Sequence, residues 1–155
     1  RQLPQPSPVD LTELARTLVD EARPLARAKA QTLDSQFPAS PVSVNGDPDL
    51  LRVALRNLID NALRYTPDGG HITVGLSQAH GAPLVEVDDT GPGVPETDLP
   101  RLVERFYRSS EAGAEGSGLG LAIVRRIAEI HRAQLEVANR TDGGFSARLR
   151  WCATK

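Results

Sequence analysis

The fold of this chain is decided by the stretch Asn57-Leu58-Ile59-Asp60-Asn61-Ala62-Leu63-Arg64-Tyr65. Helical periodicity places its leucines, isoleucine and alanine on one arc that faces a core. Asn57, Asn61 and Arg64 share another arc, where the i, i+3 and i+4 spacing stacks them. Asparagine is a poor helix former, so two on one stripe call for a reason. Amide oxygens are hard ligands for Mg²⁺ and an arginine can meet a phosphate. An ordinary solvated face is the alternative.

A second informative stretch, Leu84–Asp88, is predicted to be a strand that ends in Asp89-Thr90-Gly91-Pro92-Gly93. Glycines at alternate positions let the backbone take positive φ and approach a ligand closely. The Asp89 carboxylate can accept a hydrogen bond from an exocyclic amino group such as that of adenine, whereas guanine presents a carbonyl at that edge. Strand alternation directs Asp88 to the opposite face. A plain β-turn is the alternative.

A third stretch, Gly116-Ser117-Gly118-Leu119-Gly120, leads directly into an apolar-periodic helix that ends at His131. A helix N-terminus with small residues suits a phosphate. Glycines serving close packing at a helix start are the alternative. A dinucleotide fingerprint is disfavoured because that motif follows a strand, whereas Arg108–Glu115 is polar and loop-like. No Gly-Lys-Ser/Thr occurs, which excludes a Walker-type phosphate loop.

Composition narrows the class of protein. The 155 residues suit one domain, and the near balance of 18 basic and 20 acidic residues, with no long basic tract, disfavours nucleic acid as a partner. A single cysteine, Cys152, excludes an intrachain disulfide and a cysteine-based zinc site. No apolar run reaches the roughly 18 residues of a membrane span, so we expect no direct membrane contact by this domain. The lack of methionine, even at position 1, indicates a piece of a longer protein.

The order of elements predicts an α+β fold. Arg1–Pro8 is proline-rich and is interpreted as a linker. Gly91–Gly116 is loop-like, apart from a short helical piece near Asp98–Phe106. The predicted helices run from Leu11 to about Ala30, from an Asp47 N-cap to about Tyr65, and over Ser117–His131. The predicted strands are Gln31–Phe37, Val42–Asn45, His71–Gln78, Pro83–Asp88, Leu135–Asn139 and Phe145–Trp151.

Four motifs together resemble those of a known family. They are Asn57–Pro67 as an N box, Asp89–Val94 as a first G box, Glu104–Arg108 as an F box and Gly116–Leu121 as a second G box. In this order and spacing they resemble the catalytic, ATP-binding domain of bacterial sensor histidine kinases, within the superfamily shared with gyrase, Hsp90 and MutL. The resemblance covers Val9 to Trp151.

The resemblance implies roles for individual residues toward ATP and Mg²⁺. Asn57 and Asn61 would hold the metal and the phosphates, with Arg64 adding charge near the triphosphate. Tyr65 would pack near the nucleoside, and Asp89 would bind the adenine amino group. Either Arg105 or Arg108 would reach the phosphates from a lid spanning about 91–116. The nucleotide-binding glycine segments would comprise Gly91, Gly93, Gly116, Ser117, Gly118, Leu119 and Gly120.

The resemblance also implies a fold and an activity. The fold is an α/β sandwich with a mixed, mostly antiparallel five-stranded sheet backed by about three helices, and a mobile ATP lid. Residues 9–155 would transfer the γ-phosphate of ATP to a histidine on a separate dimerisation domain, joined through the linker, for relay to a response-regulator aspartate. The parent would be a bacterial inner-membrane protein with this domain in the cytoplasm.

Three details qualify the resemblance. Hydrolysing members of the superfamily place a water-activating glutamate where this chain has Asn57; an amide cannot act as a general base, which favours a kinase. His71, His80 and His131 do not fit a phosphoacceptor motif and are predicted to be surface histidines. His131-Arg132-Ala133 replaces the usual His-Gly-Gly, so a different helix end is expected, with His131 complementing the helix dipole.

Other assignments remain open at this level. Phe145-Ser146 replaces a threonine that lies near adenine in the family, and either residue could be the substitute. A serine kinase of the anti-sigma-factor type, built on the same fold, is an alternative function. A degenerate domain that serves only in protein interaction is a third.

Overall fold

The computed structural model describes residues 6–93, 95–101, 120–141 and 143–152. Its helices are α1 (Leu11–Ala28), α2 (Pro48–Tyr65) and α3 (Gly120–Ile130), with a 3₁₀-helix over Glu96–Arg101. Its strands are β1 (Ser7–Asp10), β2 (Thr32–Gln36), β3 (Ser43–Gly46), β4 (His71–Ala79), β5 (Ala82–Asp89), β6 (Ala133–Asn139) and β7 (Phe145–Trp151).

A five-stranded sheet carries the fold, with strand order β2-β4-β5-β7-β6. Strands β2 and β4 pair in parallel, and the other three pairs are antiparallel. This confirms the predicted mixed, mostly antiparallel sheet. The predicted strand over Val42–Asn45 exists as β3 but lies outside this sheet, because it pairs with β1 in a separate two-stranded antiparallel ribbon.

The first strand corrects the predicted linker. Ser7 and Pro8 belong to β1, where they stand opposite Gly46 and Asn45 of β3. Proline in this position is compatible with a strand because a two-stranded ribbon leaves outward-facing edges that need no N–H donor. The composition of residues 1–8 suggested a linker because local sequence does not show which distant strand will offer a partner.

The helices cover one face of the sheet and enclose the core between the two layers. Strand β5 shows the alternation clearly, with Val85, Val87 and Asp89 buried and the residues between them half-buried. In α1 the predicted apolar stripe is buried from Leu11 to Ala22, and Pro24 does not end the helix. Leu25 was predicted on the same stripe, but 59% of it is exposed. No helix in the described part of the chain is long and apolar enough to cross a membrane.

Helix α2 begins as its sequence predicts. Asp47 is the N-cap, and its carboxylate accepts hydrogen bonds from Asp49 N at 2.9 Å and Leu50 N at 3.2 Å. Pro48 occupies the first turn, where its missing N–H costs nothing. The cap fixes the residue at which the helix begins. It therefore also fixes the direction in which Asn57, Asn61 and Arg64, the asparagine stripe, point.

His131 corrects the prediction of a surface histidine, since only 6% of it is exposed. Its Nδ1 lies 2.8 Å from Ile127 O within α3, and its Nε2 accepts a hydrogen bond from Asp47 N at 3.0 Å. The end of α3 is thereby joined to the N-cap of α2. A Cβ at Gly46 would lie 2.6 Å from Nε2, so a glycine is needed where the ring packs on β3. The next residue, Arg132, has φ 58°, a left-handed helix end that glycine adopts at lower cost.

Candidate functional site

The asparagine stripe of α2 lies at the boundary between core and solvent. Asn57 and Asn61 are half-buried and Arg64 is exposed. The opposite side of the helix is fully committed to the core, so the two amides cannot rotate away from their edge. The buried residues of α2 are Leu51, Ala54, Leu55, Leu58, Ile59, Ala62 and Leu63. A rigid helix therefore presents two amide oxygens one turn apart.

The first described residue of α3 stands beside this stripe. A Cβ at Gly120 would lie 3.7 Å from Asn57 Oδ1, which is an ordinary van der Waals distance. The start of α3 therefore lies next to the first asparagine. Helix N-termini attract anions through their free N–H groups and dipole. The arrangement thus brings amide oxygens, which favour a cation, next to a helix start, which favours phosphate.

Asp89 ends β5 on the inner face of the sheet, and only 5% of it is exposed. Its Oδ1 accepts a hydrogen bond from Gly91 N at 2.9 Å. Burial raises the pKa of the Asp89 carboxyl above its usual 3.8, while backbone N–H groups of Gly91 and Phe145 and the charge of Arg140 partly lower it. Burying a carboxylate is costly, and a raised pKa at a buried carboxyl marks a candidate functional group.

Glycines allow the segments around Asp89 to approach closely. A Cβ at Gly91 would lie 2.8 Å from Tyr65 O and 3.1 Å from Asp89 Oδ1, so no other residue fits there without movement. Gly144 has φ 105° and lies against Asp89 O. Gly93, with φ 72°, meets Asn139 in the same way. The end of α2, residues 89–93 (the Asp89 loop) and the β6–β7 turn therefore pack closely around Asp89.

The family model described as histidine kinase-, DNA gyrase B- and HSP90-like ATPase matches residues 46–155. The chain belongs to this ATPase family. The match includes α2, Asp89 and α3, so it covers every element that lines the candidate site.

Relatives within the ATPase family are sensor kinases. Sensor protein QseC of Escherichia coli (strain K12) is 45% identical over 113 residues, covering 73% of this chain and 24% of QseC. Sensor protein BasS of Salmonella typhimurium is 42% identical over 123 residues, covering 79% of this chain and 34% of BasS. The chain thus spans about a quarter to a third of these curated relatives. The comparisons do not favour the serine-kinase alternative.

Solved structures agree with this assignment. The mycobacterial sensor histidine kinase MprB superposes with a TM-score of 0.83 at 31% identity, covering 94% of this chain and 97% of that chain. The cytoplasmic segment of histidine kinase QseC gives a TM-score of 0.74 at 28% identity, covering 98% of this chain and 81% of that one. The domain is therefore the ATP-binding catalytic domain of the sensor histidine kinase type, and the predicted α/β sandwich is confirmed.

The predicted site residues divide into two groups. The described ones lie on the elements that converge at Asp89 and the start of α3, namely Asn57, Asn61, Arg64, Tyr65, Asp89, Gly91, Gly93 and Gly120. Their roles toward a ligand stay predictions. The others lie outside the described residues, namely Arg105, Arg108, Gly116, Ser117, Gly118 and Leu119, as does most of the predicted lid at 91–116.

Sheet register distinguishes the two candidates for the missing threonine. Phe145 pairs with Asp89, whereas Ser146 pairs with Asp88. The Ser146 hydroxyl donates to Glu86 Oε2 at 3.4 Å on the face of the sheet away from the helices. Ser146 therefore lies on the opposite face from Asp89, and the residue beside Asp89 is the apolar Phe145. The predicted opposite orientation of Asp88 is confirmed by the same alternation.

Three residues near the site were missed from the sequence. Arg140 Nη1 donates to Asp89 O at 3.3 Å, and Lys29 and Gln31 bind the end of α2 from the end of α1. The sequence contained one feature that could have drawn attention to Lys29, because it is one of just two lysines in the chain. Arginine is abundant here, so Arg140 carried no comparable signal.

The raised pKa of Asp89 predicts a specific pH dependence of stability. The folded domain takes up a proton at Asp89 at a higher pH than the unfolded chain does, so acidification from neutral pH relieves the cost of burying the charge. We expect any stability advantage of Asp89→Asn over the wild type to be largest near neutral pH and to shrink as the pH falls toward 3.8. Urea unfolding of both proteins across this range measures it. A difference that does not change with pH would contradict the prediction.

Proposed function

We propose that this domain binds Mg²⁺-ATP between α2, the Asp89 loop and the start of α3, and transfers the γ-phosphate to a histidine on a separate dimerisation domain of its parent protein. The observation that carries the proposal is the buried Asp89 carboxylate, which accepts a hydrogen bond from Gly91 N and which a side chain at position 91 would crowd. A carboxylate accepts a hydrogen bond from the amino group of adenine and repels the carbonyl of guanine.

The donor set of α2 fits a magnesium ion. Asn57 and Asn61 supply neutral oxygen ligands from one helix edge, and Mg²⁺ prefers oxygen and retains several waters. When bound, the ion would neutralise charge on the phosphates, and Arg64, at the exposed end of the stripe, would add a further positive charge. Tyr65 and the glycine segments would enclose the nucleoside and phosphates, with Arg105 or Arg108 completing the phosphate contacts.

Phosphoryl transfer in this scheme needs no protein nucleophile within the domain. A nitrogen of the acceptor histidine attacks the γ-phosphorus, the bond to the β–γ bridging oxygen breaks, and ADP leaves. Catalysis then depends on position and charge neutralisation. Because the amide of Asn57 cannot activate water, ATP is held for transfer in preference to rapid hydrolysis. The phosphate would pass to an aspartate of a response regulator, and the parent would be an inner-membrane sensor.

The proposal is tested by supplying the dimerisation domain of the parent protein together with γ-labelled ATP and Mg²⁺. We expect labelled phosphate on the acceptor that is lost in acid and stable in base, as for phosphohistidine. Calorimetry should show binding of ATP and ADP with much weaker binding of GTP. An acid-stable phosphate would instead indicate the serine-kinase alternative, and no nucleotide binding at millimolar concentration would refute the proposal.

A further inference from the structure

The last turn of α2 is held by two side chains from the turn that follows α1. Lys29 Nζ donates to Leu63 O at 2.7 Å, to Thr66 O at 3.3 Å and to Arg64 O at 3.5 Å. Gln31 Nε2 donates to Leu63 O at 3.0 Å and to Thr66 O at 2.7 Å. We call these two side chains and the carbonyls that they bind the Lys29–Gln31 clamp. The last carbonyls of a helix have no partner within the helix, so the clamp satisfies groups that would otherwise face solvent or remain unpaired.

Charge and backbone geometry both suit this arrangement. An ammonium group at a helix C-terminus faces the negative end of the helix dipole, and its hydrogen bonds are charge-assisted. Gln31 is only 6% exposed, so water competes little for its bonds, and Lys29 is half-buried. Between them Ala30 takes φ 55°, and Gln31 N returns to Ala26 O at 2.9 Å. The tight turn at the end of α1 therefore directs both side chains toward α2.

The clamp is continuous with the proposed adenine subsite. Tyr65 lies between the clamped residues Arg64 and Thr66, and its carbonyl is the atom that a Cβ at Gly91 would meet at 2.8 Å. Gly91 in turn donates to Asp89 Oδ1. A shift of the last turn of α2 would therefore move Tyr65 against the loop that holds the carboxylate.

A second connection runs through the turn that follows α2. Gly69 N donates to Lys29 O at 3.2 Å, and Thr32 N donates to Gly70 O at 2.9 Å. His71 N then donates to Thr90 Oγ1 at 2.9 Å, while Thr90 N donates to His71 O at 3.0 Å. The turn between α1 and β2 is thus connected, through residues 69–71, to Thr90, the residue that follows Asp89.

From these contacts we propose that Lys29 and Gln31 are positioning residues for the adenine subsite. They touch no part of the nucleotide themselves; they set the distance between Tyr65 and the Asp89–Gly91 loop by fixing the last turn of α2. The proposal rests on the proposed function, because it requires adenine to lie at Asp89. In this proposal Lys29 raises nucleotide affinity by positioning the residues that recognise the base. It does not act by attracting the phosphates, even though it is a cation.

The test compares nucleotide affinities of the wild type and Lys29→Met, which keeps the length of the side chain and removes the donors. We expect the Kd values for Mg-ATP, ADP and adenosine to rise by the same factor, about tenfold, with the dependence on Mg²⁺ unchanged. Lys29→Arg should restore affinity to within about threefold of the wild type. Arg27→Met, an exposed position in the last turn of α1, is the matched control and should bind as the wild type does.

Affinities are measured at a temperature at which circular dichroism shows each variant to be folded. If Lys29 contributed only to the stability of the fold, Kd would then be unchanged. Unchanged Kd values in Lys29→Met, or a loss confined to ATP with adenosine unaffected, would overturn the proposal. Should Lys29→Met not fold, Lys29→Gln keeps a shorter, uncharged NH₂ donor group and should weaken the binding of all three ligands about threefold; an affinity equal to that of the wild type would count against the clamp. If the wild type itself bound no nucleotide, the proposed function would fail, which is a distinct result.

Discussion

Replacing Asp89 with asparagine is expected to weaken ATP binding about 100-fold, since a hydrogen bond to a charged group contributes about 1.5–3 kcal/mol and each 1.4 kcal/mol is tenfold in affinity. Asp89 has two acceptor oxygens, and Gly91 N already occupies Oδ1. The side chain of asparagine offers one acceptor and one donor. If its oxygen keeps the bond to Gly91, its NH₂ group faces the amino group of adenine, and two donors repel.

Asp88→Asn is the matched control for this substitution. Asp88 is the adjacent residue, carries the same charge and lies on the opposite face of β5. We expect its affinity for ATP to stay within about twofold of the wild type, because its carboxylate does not face the helices. Discrimination between ATP and GTP should fall in Asp89→Asn alone. Calorimetry with both nucleotides measures this, and equal losses in the two variants would show that charge, and not the position of one acceptor, governs binding.

The second large effect is expected at the asparagine stripe. Asn57→Ala and Asn61→Ala should each abolish the increase in ATP affinity that Mg²⁺ produces and should lower phosphotransfer to a supplied acceptor domain at least 100-fold. The physical reason is that alanine removes an oxygen ligand without replacing it. Neither variant should be less stable than the wild type, because both positions are half-buried and alanine favours a helix more than asparagine does.

Asn61→Asp separates ligand geometry from charge. It keeps oxygen atoms at the position, but places a negative charge beside the phosphates, so transfer should also be abolished. Arg56→Ala is the control on the same helix, since Arg56 is exposed and its 2.9 Å contact is with Glu21 of α1. Binding is measured with ATP in Mg²⁺ and in a chelator. If the asparagine variants kept both the Mg²⁺ dependence of binding and the phosphotransfer activity, the stripe would not be the metal-binding site.

Local patterns were sufficient for the fold class and for most elements. The period of α2 and its Asp47-Pro48 start are properties of neighbouring residues, and the structure reproduces both. Alternation along β5 placed Asp89 and Asp88 on opposite faces, again because the pattern is local. The order of the four motifs was sufficient to identify the ATPase family, since each motif needs particular residue types at fixed spacing.

Predictions failed where the partner is distant in sequence. The bond between His131 Nε2 and Asp47 N joins residues 84 positions apart, and nothing around His131 predicts that β3 will pass beneath it. The linker prediction failed at Ser7 and Pro8 for the same reason. Their partner strand β3 is separated from them in the sequence by the whole of α1. A residue with an unremarkable local context can thus be buried or paired by another segment.

The sequence by itself determined which side chains of this ATPase domain are candidates for binding a nucleotide, because helical and strand periods and glycine spacing are read from adjacent residues. Only the tertiary structure decided what holds them in place: His131 on the N-cap of α2, Lys29 and Gln31 on its end, and Phe145 in preference to Ser146 beside Asp89. These contacts depend on the register of the strands and on how the helices pack on the sheet. Both are set only when segments distant in the sequence come together in the folded domain.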